Sequence, residues 1–434
     1  MKNSLIVSVL VTLIKLNTLA FANNVEQGFW IVDTQKTWLK TLSAHKDLVI
    51  DHPTSQGFEL YGPQGTEQYL DSLGVLYLNL NNNKDLLATY PTSQQVSQEI
   101  AALARRVPQF MSVFSIGKSH QGKELWVVKI SDNVAQDEIE PEIKFIANMH
   151  GDEIVGRELM VFLLRDLVKG IETNDARILE LVKHHEIFIM PSMNPDGADL
   201  RQRGNGRSVD LNRNFPDFTT RDNRNEPGTR EPETRAVMAW QAQRRFILSA
   251  NFHGGAVVVN YPWDTTPDVH PQDEHIVELS KDYANIVPEM SSSTEFPGGI
   301  VNGYRWYEVN GGMQDWSYYW YGDLQFTMEV SDPKWPNYSE VPAYYQAHKE
   351  ALIGFLEKGK LGLGLQSATT IPRSPLIIRS LTRNWQMTRS MEGQEFFVSL
   401  PQDRYEIELK LAGQSKKFEA TVDESGPAQY IKIQ

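Results

Sequence analysis

The sequence predicts an α/β protein: a mixed central sheet flanked by helices, preceded by a small α/β segment and followed by a small all-β module. Three observations predict it. From about Tyr90 to Glu357, apolar strand runs alternate with helical periodicity. Two stretches punctuate the chain, the polar run Asn81 to Asp85 and the Gly-, Thr- and Pro-rich Gly359 to Pro375, and both read as linkers. Beyond the second come short strands with turn signals at Leu400-Pro401-Gln402-Asp403 and Ser425-Gly426-Pro427. The division expected is therefore 1–22, 23–88, 89–360 and 375–434.

The first 22 residues read as an export signal. Lys2 gives a positive start, Leu5 to Ile14 a short apolar core, and Ala20-Phe21-Ala22 an A-x-A cleavage site. Such a core is too short for a hydrocarbon layer of about 30 Å, so no membrane anchor is expected and the chain is placed in the periplasm or the medium. In the next segment, Leu48 to Asp51 and Phe58 to Tyr61 read as strands, Thr66 to Leu73 as a helix and Val75 to Leu80 as a strand. In the large domain, strands are expected at Leu125 to Ile130, Ile143 to Met149, Glu186 to Met193, Phe246 to Phe252 and Leu324 to Val330. Helices are expected at Ile154 to Val168 and Pro342 to Glu357.

Composition narrows the function. The chain has 434 residues, 41% hydrophobic and 22% charged, as an ordinary globular protein has. Its formal charge of −13 argues against a general nucleic-acid binder. Cysteine is absent, which excludes disulfides, thiolate zinc sites and cysteine nucleophiles.

The chemistry concentrates at predicted strand ends. His150-Gly151-Asp152-Glu153 follows a buried strand and opens a helix, so its imidazole and carboxylate can aim at one point. His253 ends another strand and precedes Gly254-Gly255. Two His and one Glu with an open fourth position form the hydrolytic zinc pattern. The other eight histidines read as solvated or internally satisfied. Glu329 sits among Phe326, Met328 and Val330, where a carboxylate is costly unless paired or working, and a sheet-end Glu beside zinc suits proton abstraction from water. In Asp210-Leu211-Asn212-Arg213-Asn214-Phe215-Pro216, Arg213 and Asn212 suit a free carboxylate. Arg203 suits a polarised carbonyl and its developing oxyanion.

Residues Tyr90 to about Lys358 resemble the zinc carboxypeptidases, most closely their N/E/D branch. The segments that carry the resemblance are Asn148 to Glu153, Gly156-Arg157-Glu158-Leu159, Asn194 to Gly197, Arg203-Gly204-Asn205, Asp210 to Pro216 and Asn251 to Gly255. Tyr261 to Asp264, Trp306 to Asp315, Glu329 and Lys334-Trp335-Pro336 complete it. The resemblance implies one Zn²⁺ per chain on His150, Glu153 and His253, with Glu329 and Arg203 catalytic. It implies a substrate carboxylate on Asn212 and Arg213, with Tyr307 as the tyrosine that closes over it. Asp264 and Gln314 match the positions that favour a C-terminal Lys or Arg. Two departures stand out: Asp152 where Asn is usual, and Ser331-Asp332-Pro333 in place of a Cys-bearing segment. The tail is similar to the branch's transthyretin-like module. The segment before residue 89 lies outside the branch pattern and is expected to be a pro-segment or an accessory domain.

The expectation is an exported zinc metallocarboxypeptidase whose partners are peptide or protein C-termini and whose product is C-terminal Lys or Arg. The alternatives are an amidohydrolase on the same fold, acting on peptidoglycan peptides or N-acyl amino acids, and a non-catalytic binding protein. A substrate panel separates the first alternative and zinc content the second.

Overall fold

The structure, a computed structural model, describes residues 26–80, 90–423 and 428–433. The expected signal segment 1–22 lies outside the described residues.

The N-terminal unit is a four-stranded sheet with two helices. Strand β1 (Gln27–Val32), helix α1 (Thr37–Ser43), β2 (Val49–Asp51), β3 (Gly57–Gly62), α2 (Thr66–Leu73) and β4 (Tyr77–Asn79) follow in order. The strands lie β2-β3-β1-β4, all pairs antiparallel. Phe29, Ile31, Phe58, Leu60 and Leu70 form its own small core. β1 and α1 escape the sequence reading because neither carries a long periodic run.

The large central domain opens with α3 (Ser93–Arg106), whose Thr92 and Gln95 form a reciprocal capping box. There follow β5 (Met111–Lys118), β6 (Glu124–Ile130), β7 (Glu142–Ala147), α4 (Val155–Glu172), α5 (Ala176–Lys183), β8 (Glu186–Met190), α6 (Pro195–Leu200), α7 (Pro232–Gln241) and β9 (Phe246–His253). The remainder is β10 (Ala256–Tyr261), α8 (Asp273–Ile286), α9 (Pro288–Ser291), β11 (Ile300–Asn302), α10 (Gly303–Trp306), α11 (Met313–Tyr321), β12 (Leu324–Ser331) and α12 (Val341–Glu357). Its eight strands run β11-β10-β12-β9-β7-β8-β6-β5. The central four are parallel, while β10/β12, β6/β8 and β5/β6 are antiparallel, so the sheet is mixed as expected. β7, β8, β9 and β12 are buried along their whole length, which is why they read as continuous runs and not as alternating ones. The register sets Glu329 of β12 beside His253 of β9 at the carboxyl ends of neighbouring parallel strands. Open α/β sheets collect ligands at that edge.

The C-terminal module holds β13 (Gly362–Ser380), β14 (Gln386–Ser399), β15 (Asp403–Leu411), β16 (Gln414–Val422) and β17 (Gln429–Ile433). It corrects one expectation: Gly359 to Pro375, read as a linker, is largely the first part of β13. Gly and Pro usually punctuate, but here Pro372 falls where the β13–β14 register shifts, between Ile371 and Ser374. The bend lets the two halves of β13 take different partners, β17 for Leu363 to Ser367 and β15 for Leu376 to Ser380. Gln272 and Arg245 tie the module to the large central domain through the Ser399 carbonyl (2.7 Å) and Glu395 (2.5 Å).

Candidate active site

His150 and Glu153 are aimed by a loop that leaves β7. Asn148 there adopts a left-handed φ of 55°, which asparagine tolerates. Its amide donates to the carbonyls of His150 (2.8 Å), Gly151 (3.3 Å) and Glu153 (3.3 Å), pinning the loop from inside. Gly151 has to be glycine, because a Cβ would stand 2.0 Å from the backbone of Gly197 at α6.

The three ligand side chains converge. His150 Nδ1 and His253 Nδ1 lie 3.1 and 2.8 Å from the Glu153 carboxylate and 3.0 Å from each other. All three residues are buried. Their far nitrogens are engaged: His150 Nε2 lies 2.9 Å from Asp210 Oδ1, and His253 Nε2 lies 2.5 Å from Asn251 Oδ1. Those acceptors keep the far nitrogens protonated and turn both Nδ1 lone pairs to the common point. Two imidazoles and a carboxylate with oriented outer partners fit a zinc ion.

Arg203 is also buried and shares the second oxygen of Asp210, with Nε 3.0 Å from Oδ2. Burial pushes the Asp210 carboxyl up, but Arg203 and His150 outweigh that and hold it well below the usual range. Glu329 lies on the same floor, and its Oε2 is buried without a hydrogen-bond partner among the described residues. Asn212 accepts the Met313 amide at its side-chain oxygen (3.0 Å) and precedes half-buried Arg213, whose Nη1 donates to the Asn212 carbonyl (3.0 Å).

Comparison with known proteins decides the family. The sequence profile of the zinc carboxypeptidases matches residues 96–351, more than half of the chain. This chain belongs to the zinc carboxypeptidase family. It is 34% identical over 361 residues to carboxypeptidase M of Mus musculus, covering 74% of this chain and 80% of the relative. It is 35% identical over 367 residues to the carboxypeptidase N catalytic chain of Rattus norvegicus, with the same coverage. It is 40% identical over 280 residues to carboxypeptidase SOL1 of Arabidopsis thaliana, covering 63% of this chain and 56% of the relative, so it spans about half of that protein. The solved carboxypeptidase A of Helicoverpa armigera shares the fold, with a TM-score of 0.62 at 18% identity over 78% of this chain and 98% of that one. The chain is therefore a zinc-dependent metallocarboxypeptidase of the N/E/D-like branch.

This zinc carboxypeptidase carries a second buried cluster next to the first. Asp264 accepts from Gln314 Nε2 at 3.0 Å, and Asp315 receives the Asp264 and Thr265 amides at 2.9 Å each. Burial raises the Asp264 carboxyl to about 7, against the pull of Asn260 and Arg213 and with a push from Glu329. Gly303 makes room for it, since a Cβ there would come within 1.6 Å of Asp264 Oδ1.

The structure brings all ten sequence-predicted site residues to one cleft, and it adds others. Asp210 and Asn251 were visible within motifs, but their orienting contacts appear only in three dimensions. Lys334 reaches Glu153 (3.2 Å), Glu59 (2.7 Å) and Asp51 (2.8 Å). Asp51 and His52 carry no motif signal, and His52, read as solvated or satisfied, lies buried 3.3 Å from Glu329.

Proposed function

We propose that this metallocarboxypeptidase is exported and releases C-terminal Lys or Arg from peptides. Export rests on the charged start, apolar core and A-x-A site of residues 1–22. Among the described residues no helix is long and apolar enough to cross a membrane.

The observation that carries the specificity is Asp264, a carboxylate 2% exposed beside Arg213 and Gln314. A basic side chain entering that pocket meets a counter-charge, whereas an acidic one meets repulsion. Gln314 Oε1 is buried with no hydrogen-bond partner among the described residues, and it offers an acceptor to a guanidinium or ammonium.

His150, Glu153 and His253 would hold the zinc. When bound there, zinc supplies Lewis acidity toward the scissile carbonyl and toward water. The chain's own groups do the rest. Asn212 and Arg213 take the terminal carboxylate and so fix which bond is cut. Arg203 donates to the scissile carbonyl oxygen as charge develops on it. Glu329 accepts a proton from water and returns it to the leaving amine, and Tyr307 closes the cleft over the last residue.

A panel of peptides differing only in the last residue tests this reading. Arg and Lys should be released fastest and Glu slowest, and a zinc chelator should abolish all release. A parent enzyme that prefers Phe overturns the Lys/Arg assignment.

A further inference from the structure

Lys334 opens the motif Lys334-Trp335-Pro336, and its side chain turns into the cleft instead of outward, with 10% of it exposed. The loop that carries it, between β12 and α12, is fastened to the loop of the metal ligands. The Lys334 carbonyl accepts the Ile154 amide at 3.0 Å, one residue past Glu153. Its Nζ lies 3.2 Å from Glu153 Oε1, and Arg203 Nη1 lies 3.1 Å from the same oxygen. A second oxygen, Asp51 Oδ2, lies 2.8 Å from Nζ and 2.5 Å from Nη1. Two cations and two anionic oxygens thus alternate around a closed ring.

The two oxygens are not equivalent. Glu153 is assigned to zinc, and its other oxygen lies 2.8 Å from His253 Nδ1. Asp51 belongs to the N-terminal unit, outside the stretch 96–351 that matches the family. Within the large central domain, Glu153 is the one ion-pair partner of Lys334 among the described residues. That domain therefore brings two cations and one anionic oxygen to the ring. Its fourth corner is a place for an oxygen that carries negative charge, since like charges held this close repel unless one of opposite sign lies between them. Asp51 Oδ2 shows that a single oxygen there reaches both cations at hydrogen-bond distance. The scissile carbonyl oxygen, which Arg203 polarises, has to come to that corner.

We propose that Lys334 is a further catalytic residue: beside Arg203, its ammonium donates to the scissile carbonyl oxygen as that oxygen becomes negative. This rests on the carboxypeptidase reading of the cleft. The water oxygen bonds to the carbonyl carbon, the π pair moves onto the carbonyl oxygen, and the water's proton passes to Glu329. As that pair returns, the C–N bond breaks and Glu329 delivers the proton to the leaving amine; Lys334 keeps its protons throughout. A neutral carbonyl gains little from a second cation. An oxyanion in a buried cleft gains much, so the interaction is made chiefly in the transition state. The two cations divide the work by their shape. Arg203 is a rigid fork already held by Asp210 at Nε (3.0 Å), whereas an ammonium on a flexible stem can follow the oxygen as the carbon turns tetrahedral.

The test compares the full-length zinc-loaded parent with Lys334→Met and Lys334→Arg. The readouts are kcat and KM on whichever panel peptide is cleaved best, zinc affinity by chelator competition, and the Kd of two uncleavable peptides. In one the last amide is replaced by a phosphinate, which puts an anionic oxygen in the ring; in the other by CH₂–CH₂, which puts none there. Lys334→Met should lower kcat/KM on the order of 100-fold, chiefly through kcat, and weaken the phosphinic peptide by a similar factor. The CH₂–CH₂ peptide and zinc should bind within about threefold of the parent, and Lys334→Arg, which keeps the charge, should recover most of the loss. Lys334 also holds Asp51 and Glu59, so a merely structural role changes both peptides by one factor. Equal changes overturn the proposal. So does a kcat/KM within about threefold of the parent, or a loss of zinc that accounts for the loss of activity. Lys334→Gln serves if Lys334→Met fails to fold. The outcome is separable from the specificity reading: a preference for Phe defeats that reading, while the ratio of the two peptides still decides Lys334.

Discussion

Replacing Asp264 with alanine removes the counter-charge from the pocket and leaves the zinc ligands, Arg203 and Glu329 in place. The carboxylate is buried, hydrogen-bonded to Gln314 at 3.0 Å, and its neighbour Asp315 secures the backbone at Asp264 and Thr265. A unit charge about 4 Å away at an effective dielectric of about 20 is attracted by about 4 kcal/mol. Breaking a buried pair by removing one partner costs about 3–5 kcal/mol. Taking about 3 kcal/mol, kcat/KM for C-terminal Arg or Lys should fall on the order of 100-fold. C-terminal Phe, which never used the charge, should lose little or gain. The assay is release of the last residue from one common peptide ending in Arg, Lys, Phe or Glu, parent against variant. Because burial raises Asp264 to about 7, acidification neutralises it, so the Arg-to-Phe ratio of the parent should fall below pH 7 while that of Asp264→Ala stays flat. An equal loss on all four peptides would falsify the pocket assignment.

Further outcomes follow from other contacts. Glu329→Gln should keep full zinc and peptide affinity while kcat drops several orders of magnitude, and a kcat within about tenfold of the parent removes Glu329 from the proton transfer. His253→Ala should lose metal by elemental analysis yet keep its circular dichroism; full zinc occupancy would refute the ligand set. Gly303→Ala pushes a methyl toward Asp264 Oδ1 and should erode the Arg and Lys preference with zinc unchanged; an unaltered panel would show that the carboxylate has somewhere else to go. His275, lowered to about 3 by burial with Lys358 and Arg383 adding to it, stays neutral in the fold while the unfolded chain protonates near 6.5. Its contribution is therefore present above pH 6.5 and lost on acidification. Urea titrations should show His275→Gln gaining about 2–3 kcal/mol on the parent between pH 7 and pH 4.5, and no pH-dependent difference refutes the assignment.

His150, Glu153 and His253 were legible as a candidate metal group because the two histidines stand at the ends of buried strands and Glu153 follows His150 by three residues. Arg203, Asn212 and Arg213 were legible as residue types suited to carbonyl and carboxylate. The contacts of Asp51 were not, because they join residues far apart in the chain: Asp51 meets Arg203 across 152 positions and Lys334 across 283. No local pattern encodes such a pair, and an Asp-His dipeptide at the end of a short strand carries no motif. The start of β13 was misread for a different reason. Gly and Pro carry strong turn signals, and a bulged strand that spends them on changing partners looks like a linker until its pairing is seen.

Asp210 has one further consequence. One of its oxygens holds His150, and the other holds Arg203. Whatever occupies the imidazole face and whatever occupies the guanidinium face therefore pull on a single carboxylate. Two binding equilibria that share a component are reciprocal: the factor by which a bound metal tightens a peptide is the factor by which that peptide tightens the metal. Saturating peptide should thus protect the enzyme from chelators, and an Asp210→Asn variant should weaken that mutual dependence along with each affinity. Retention of the metal in a zinc-poor medium then becomes a property of the enzyme at work, greater when substrate is plentiful than when it is scarce.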